Sequence, residues 1–299
     1  MSSQSPAEDK RTIQDVIDDK NVIIDYCVKN NDRRGYFCGL YRHVTLAVQK
    51  GINETKNPPA GAEPPFDDAE RMERFDVIFA DRYLDAYNAY AAGGNENISD
   101  CWKITFDEAK KPDYAVMQHM MVGMFAHICL DLGIAVAETC VLEAAEKGTK
   151  AAHELASIKG DYNKINEILA ALVPFMDCKL DLVSPTYANI SEVVENRWPN
   201  LVIAGLVVAR ELAWTYARRH VLLHDEGREE AVEQSRDQLT YLLIKEVLRL
   251  GPVFNRMERR EERAGNSIGQ IVTVLASTDV CATEYQQAAL NRVRASKRQ

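Results

Sequence analysis

The chain has 299 residues, of which 46% are hydrophobic and 27% charged, a composition typical of a soluble globular protein rather than of a disordered or fibrous one. Its 36 basic and 45 acidic side chains give a net charge of −9, so the chain as a whole repels a phosphate backbone and we expect no nucleic acid partner. The 15 Gly and 10 Pro residues leave little material for the tight turns of a many-stranded β protein.

Segments with the period of an amphipathic helix follow one another along the chain, and no series of short alternating Val, Ile and Thr runs predicts a sheet. We therefore predict one all-α domain of about eight to ten helices over residues 12–296, after a disordered N-terminus at residues 1–11. A Pro-rich loop at residues 52–69 lies within this domain and does not divide it. The predicted helices cover residues 12–29, 36–51, 71–92, 99–109, 114–147, 161–179, 200–225, 229–257 and 267–296.

Seven cysteines form an odd set without a C-x-x-C pair, and most of them fall in apolar helical segments. We expect them to be reduced core residues in a cytoplasm-like compartment rather than disulfides or zinc ligands. The polar N-terminus lacks the basic-then-apolar order of a secretion signal, and no uninterrupted apolar run is long enough to span a membrane. We expect a soluble, cytoplasmic protein, and the sequence leaves a homodimer open.

The helix predicted at residues 114–147 is apolar on every side, so we place it, buried, at the centre of the fold. Its polar residues form one stripe. His127 and Asp131 are four residues apart and therefore neighbours on one face, Glu138 follows in the same stripe, and Met120 and Met124 precede them. Burying ionisable groups without partners costs several kcal/mol. The stripe therefore faces other helices or an internal pocket.

Three interpretations of the stripe stay open. In the first, Asp131 accepts a hydrogen bond from His127 and the pair only satisfies buried polarity. In the second, Asp131 tunes the pKa of His127, which gives or takes protons in a cavity walled by Met and aromatic side chains. In the third, the pair binds a metal ion. The helical rise places His127 and Glu138 about 16 Å apart, so further ligands would have to come from other helices.

A second set of candidates lies on the helix predicted at residues 71–92. Phe75, Phe79 and Tyr83 recur at helical spacing on the face that should pack inward, and Asp76 lies on the same face. A carboxylate among aromatic rings needs a partner, for which Arg82, Tyr83 or the central helix are the candidates.

Three blocks of the chain carry a further signal: residues 35–42, GYFCGLYR, residues 71–86, RMERFDVIFADRYLDA, and residues 118–133, QHMMVGMFAHICLDLG. Together they resemble an uncharacterised all-helical family, catalogued as a domain of unknown function, over roughly residues 12–220. The resemblance implies no reaction. Phe125 stands where the resemblance leads us to expect Asn, which makes the predicted cavity more apolar. The resemblance implies that the family's distinctive positions are Arg82, Tyr83, Gln118, His119, His127 and Asp131.

These observations favour a cofactor-independent cyclase or isomerase, with a pericyclic step of the Diels–Alder type as one form, acting on a small, largely apolar biosynthetic metabolite in a helical cavity. The candidate catalytic residues are His127, Asp131 and Tyr83. The candidate substrate-binding residues are Asp76, Phe79, Arg82, Gln118, His119, Met120, Met124 and Glu138. Two alternatives remain: a metal-dependent hydrolase in which His119 and Asp76 join His127 and Asp131 as ligands, and a non-catalytic small-molecule carrier or scaffold.

Overall fold

The computed structural model has an all-α fold, as predicted. It describes residues 10–94, 98–184, 187, 197–224, 226–249, 265–279 and 281, and none of these residues is in a β-strand. Over that part of the chain there are nine helices when the long central helix is counted as one. Most of the predicted disordered N-terminus, residues 1–9, lies outside the described residues.

The helix bounds follow the sequence signals closely at several ends. The predicted cap Thr12 accepts a hydrogen bond from the amide of Asp15, whose side chain accepts one from the amide of Thr12. Ser99 likewise caps the fourth helix through the amide of Trp102. The helices are α1 (Ile13–Asn30), α2 (Arg34–Lys56), α3 (Ala69–Ala91), α4 (Asp100–Ala109), α5 (Val116–Phe125), α6 (Leu132–Lys147), α7 (Ala151–Val183), α8 (Arg197–His224), α9 (Glu229–Arg249) and α10 (Ile268–Ala276).

The central helix runs over residues 116–147 and consists of α5, a π-helix at Ala126–Asp131 and α6. Helices α2, α4 and α9 pack around its first half, and α3, α7 and α8 pack around its second half. Its most apolar stretch has a mean hydropathy of 1.9, and 78% of that stretch is buried by the protein. The central helix is therefore a core helix, which confirms the position predicted from its apolar faces.

The π-helix changes the geometry of the central helix for one turn. The amide of Leu132 donates to the carbonyl of His127, five residues earlier instead of four. Within the same turn the carbonyl of Cys129 accepts a hydrogen bond from the guanidinium of Arg236 in α9. Regular helical spacing does not predict this turn.

Glycines on both sides of the π-helix allow aromatic rings to lie directly on its backbone. A Cβ at Gly123 would lie 2.6 Å from Cγ of Phe37, and one at Gly133 would lie 2.4 Å from Cδ1 of Tyr216. Only glycine permits such close approach. The two rings therefore fix the central helix immediately before and after the segment that carries His127 and Asp131.

The predicted end of α2 and the predicted start of α7 were wrong. Helix α2 continues to Lys56, so residues 52–56 of the predicted Pro-rich loop are helical, and the loop with its prolines is confined to residues 57–68. Helix α7 begins at Ala151 and passes through Gly160 and Pro174, which weaken the helical pattern. Burial of side chains such as Ile158 against the core outweighs these local preferences. The part of α9 predicted beyond residue 249, residues 250–257, lies outside the described residues.

Helix α10 occupies a groove between α1, α2 and α7. Its C-terminal carbonyls are bonded by side chains from two of these helices: Nε2 of His43 lies 2.9 Å from the oxygen of Leu275, and Nζ of Lys179 donates to the oxygen of Val274 at 2.8 Å. The helix begins after its cap Ser267 but ends at Ala276, far short of the predicted residue 296. Residues 282–296 lie outside the described residues.

The expectation that no cysteine forms a disulfide was wrong. Cys178 in α7 is bonded to Cys281, with a Cα–Cα distance of 6.1 Å, across 103 residues of sequence. The pairing had no sequence signal, because the two cysteines belong to no recognisable spacing motif. The other five, Cys27, Cys38, Cys101, Cys129 and Cys140, are free and buried, as expected.

Candidate functional site

His127 and Asp131 form a hydrogen-bonded pair inside the π-helix. Nδ1 of His127 lies 3.0 Å from Oδ2 of Asp131, and each residue is 2% exposed. The same carboxylate accepts hydrogen bonds from Nε1 of Trp102 at 2.9 Å and from Nε of Arg82 at 3.4 Å. Because a carboxylate accepts and does not donate, Nδ1 of His127 carries the proton and Nε2 carries the lone pair.

Nε2 of His127 is buried and has no hydrogen-bond partner among the described residues. Burial lowers the pKa of His127 to about 4, although the neighbouring Asp131 opposes that shift. The imidazole is therefore neutral at pH 7. Phe79 stacks on it with ring centroids 3.7 Å apart, and the edge of Tyr41 meets it at 4.4 Å. The basic nitrogen Nε2 of His127 thus lies among aromatic rings, which we call the aromatic wall.

Lys20 in α1 is a second buried polar group of this region. It is fully buried, donates to the hydroxyl of Thr45, and places Nζ 3.3 Å from the centre of the Tyr41 ring. The Tyr41 ring therefore contacts both the ammonium group of Lys20 and the imidazole of His127. Burial lowers the pKa of Lys20 to about 7, with the charge of Asp76 acting in the opposite direction.

Asp76 lies on the inward face of α3, as predicted, but its partner differs from the expected Arg82 or Tyr83. The charge that stabilises its carboxylate belongs to Lys20, and Oδ2 has no hydrogen-bond partner among the described residues. Burial raises the pKa of Asp76 to about 6 in spite of Lys20. Lys20 and Asp76 therefore both titrate near neutrality, within reach of the same aromatic wall.

Arg82 connects the buried pair to the edge of the site. Its guanidinium bonds Asp131, lies 3.2 Å from Oε1 of Glu138, and lies 3.9 Å from Oε2 of Glu233 in α9. The stripe predicted along the central helix is thus joined by an arginine from α3. Because the side chain of Arg82 is 26% exposed, this chain of charges runs from the interior to the surface.

The two tyrosines beside His127 keep their protons. Burial raises the pKa of Tyr41 and of Tyr83 well above the ordinary value. The hydroxyl of Tyr83 faces the thiol of Cys38, and the Tyr83 ring lies 6.2 Å from His127. The tyrosine hydroxyls are therefore hydrogen-bond donors at neutral pH.

Four predicted substrate-binding residues lie in α5, before the π-helix, and none of them takes part in the hydrogen bonds around His127 and Asp131. Oε1 of Gln118 accepts from the amide of Ala115, and its Nε2 donates to the carbonyl of Val247, so the amide holds the start of α5. Met120 is buried in the core and Met124 is half-buried against it. His119 lines a small cavity with Phe37, Tyr83 and Trp102. Each of those three rings also contacts His127.

No group of three His, Cys, Asp or Glu side chains within the described ranges is placed to hold a metal ion. His119 and Asp76, suggested as further ligands, do not join His127 and Asp131 in such a group. Asp131 already uses its oxygens on Arg82, Trp102 and His127. The donor set on the described residues therefore does not fit a metal centre.

The sequence model of one protein family, described as "Family of unknown function (DUF5995)", matches residues 13–250. The chain belongs to this family. The DUF5995 match confirms the resemblance carried by the three blocks and extends it through α8 and α9. It includes every residue of the site around His127 and stops before α10. No curated protein and no solved structure matches the chain.

Sequence reasoning missed three side chains of this DUF5995 site. Lys20 stands in the polar run DDKN, which is typical of an exposed helix face. Tyr41 and Trp102 read as ordinary core aromatics. The one available signal was Lys20's place in the apolar repeat of α1, four residues after Val16 and three before Ile23. That register predicts an inward side chain.

Proposed function

We propose that this protein is a cofactor-independent isomerase or cyclase that moves a proton on a small, largely apolar metabolite at His127. One observation carries the proposal: Nε2 of His127 is buried and has no partner within the described part of the chain, while Asp131 fixes the proton on the other ring nitrogen. A neutral imidazole held in this way is the arrangement of a general base.

In the proposed step, Nε2 of His127 takes a proton from a carbon of the substrate. The carboxylate of Asp131 stabilises the imidazolium that forms. The proton then returns to a different carbon of the same molecule, or the carbanionic intermediate closes a ring on its own electrophilic carbon before it is protonated. In both forms the product has the molecular formula of the substrate, so the step needs no redox or group-transfer cofactor.

Further proton-exchanging groups support acid–base chemistry over a pericyclic step. Lys20 has a pKa of about 7 and Asp76 a pKa of about 6, so each changes charge near neutral pH. Tyr41 contacts both Lys20 and His127 and keeps a hydroxyl proton to donate. A Diels–Alder step transfers no proton, so positioning and a polarising hydrogen bond suffice for it, and it does not need groups that change charge near neutral pH.

A non-catalytic carrier or scaffold has one observation in its favour. Nε2 of His127 is buried, and Phe79 and Tyr41 pack against the imidazole at 3.7 and 4.4 Å, so a substrate reaches Nε2 only when surrounding side chains move. Dense packing of this kind also suits a pair that only satisfies buried polarity. The metal-dependent hydrolase has no comparable support, because the described residues bring no third ligand to His127 and Asp131.

The test is conversion of a metabolite mixture by the purified protein, followed by mass spectrometry. We expect one compound to be replaced by an isomer of the same mass, and we expect His127→Gln to abolish this while it remains folded. His153→Gln, which changes an exposed histidine of α7, is the matched control and should retain full activity. A product that gains the mass of one water would support the hydrolase instead. Absence of conversion would favour the scaffold, and equal conversion by folded His127→Gln would overturn the role of His127 as the base.

Two further properties belong to the proposal. A cytoplasmic location agrees with five free, buried cysteines, whereas the Cys178–Cys281 disulfide is of a kind that is rare in the reducing cytosol.

A homodimer is supported by the exposed apolar side chains of α8, where Leu201, Val208 and Leu212 are each more than half exposed. Sedimentation velocity at two protein concentrations tests the dimer.

A further inference from the structure

A small cavity lies between α2, α4 and α5. Three of the rings that line it, Phe37, Tyr83 and Trp102, also contact His127. Its volume is about 10 Å³, measured as the space open to the centre of a water-sized sphere, which is roughly the room that one water needs. Arg33 and Arg34, at the N-terminal end of α2, contribute to its lining. Its lining includes Arg33, Phe37, Trp102, Thr105, Phe106 and His119.

His119 brings an unsatisfied polar group into this cavity. The residue is 4% exposed, and neither Nδ1 nor Nε2 has a hydrogen-bond partner among the described residues. The edges of Tyr36 and Tyr114 flank the ring at 5.9 and 5.8 Å without bonding it. Burial lowers the pKa of His119 to about 3, so the ring is neutral and offers one N–H donor. A buried donor left without an acceptor is costly.

Arg33 supplies an independent positive charge at the same cavity. Its guanidinium takes part in no ion pair within the described ranges, and its charge contributes to the lowered pKa of His119. The neighbouring Arg34 is different, because it is paired with Asp32 and lies over the ring of Tyr87. The lining of the cavity therefore offers one cation without an ion pair among the described residues, one unused N–H donor and the aromatic rings of Phe37, Tyr83, Trp102 and Phe106.

We propose that this cavity binds the carboxylate group of a small organic acid between the guanidinium of Arg33 and the imidazole N–H of His119. One carboxylate oxygen takes up the space of a single water and accepts hydrogen bonds from both donors. The body of the acid extends outward along the apolar lining. The site does not depend on the proposed chemistry, because Phe37, Tyr83 and Trp102 separate it from His127.

The test uses acetate as the probe and acetamide as a neutral molecule of nearly the same shape. We expect acetate to shift the NMR signals of the His119 ring in a saturable way, and acetamide to leave them unchanged. Arg33→Gln should weaken acetate binding by about tenfold or more, since it removes a charge-assisted hydrogen bond. Arg33→Lys should restore most of the affinity.

Controls separate binding from unfolding and from surface effects. Arg228→Gln changes an exposed arginine that pairs with Glu226, and it should leave acetate binding unchanged. His119→Phe identifies the ring signals of His119 and should itself lose binding, as measured by the remaining backbone shifts. The melting temperature of each variant reports whether it is folded. The proposal is overturned if acetate produces no saturable shift, if acetamide binds equally well, or if folded Arg33→Gln binds acetate as the original chain does.

Discussion

At the scale of single residues, the two nitrogens of His127 have different roles. Nδ1 is committed to Asp131, whereas Nε2 has no described partner. Asp131 can hold this tautomer because Trp102 and Arg82, from two other helices, orient its carboxylate. Three elements of the fold, the π-helix, α3 and α4, therefore determine the chemistry of one nitrogen.

We predict that Asp131→Asn destabilises the protein by about 2–4 kcal/mol, because it removes the charge that Arg82 and His127 face in the interior. Urea denaturation measures the change. Asp81→Asn is the control, since Asp81 pairs with Arg11 near the surface, and it should cost less than about 1 kcal/mol. Equal stability of the two variants would contradict the network described around Asp131.

Lys20 gives a prediction about pH. Its pKa is about 7 in the folded protein and 10.5 when exposed, so between these values the unfolded chain binds more protons and stability rises with pH. Below pH 7, Lys20 is charged in both states, so the folded protein carries the whole free-energy cost of burying that charge. Lys20→Met removes this contribution, so its stability relative to the original chain should fall as pH increases from 7 to 10. Lys29→Met, on the exposed side of α1, should show no such trend in pH-dependent melting.

Sequence alone could predict part of this site. The i, i+4 spacing of His127 and Asp131, and their position on an otherwise apolar helix, were sufficient to pair them. Lys20 could not be recognised with equal ease, because its burial depends on the packing of α1 against α2 and α3. Asp76 was recognised as buried but given the wrong partner, since a helical wheel carries no information about the facing helix.

At the scale of elements, the central helix is held where its regular geometry is interrupted. Gly123 and Gly133 lie on either side of the π-helix, each under an aromatic ring. The helical period predicted one continuous helix and could not predict the π-turn, because the period of the side chains does not specify which carbonyl each amide bonds. The length and burial of the helix were predictable, whereas its internal register was not.

Gly123→Ala should destabilise the protein by about 1–3 kcal/mol, because the added methyl group would overlap the ring of Phe37. Gly205→Ala in α8 is the control. No atom lies within 4 Å of a Cβ at that position, so the higher helix propensity of Ala should raise stability by about 0.5–1 kcal/mol. Combining Gly123→Ala with Phe37→Leu should cost less than the sum of the two changes. An additive result in denaturant titrations would contradict the contact.

At the scale of the whole molecule, one covalent bond links α7 to the region after α10. The chain has seven cysteines, of which Cys178 and Cys281 are joined and five are free. We predict that the denatured, unreduced protein exposes five titratable thiols and that reduction exposes all seven. Cys281→Ser should destabilise the fold by about 2–5 kcal/mol, because the bond closes a loop of 103 residues. Seven thiols without reduction would contradict the bond.

The all-α class and the order of the helices were predictable from periodicity and caps, because each helix buries a face whose spacing is local. The disulfide and the position of α10 were not, since both depend on contacts between residues far apart in sequence. Lys179, for example, binds carbonyls of a helix almost one hundred positions later.

Helix α10 makes the folded unit longer than the unit that the family shares. The family match ends at residue 250, yet α10 packs directly on α2. Val272 of α10 fills the space above Gly35, and the backbone of Ala276 lies against Gly39. A fragment cut at the family boundary would leave this groove open and the donors His43 and Lys179 without their carbonyl partners. The family match and the packed helical fold therefore end at different positions in this chain.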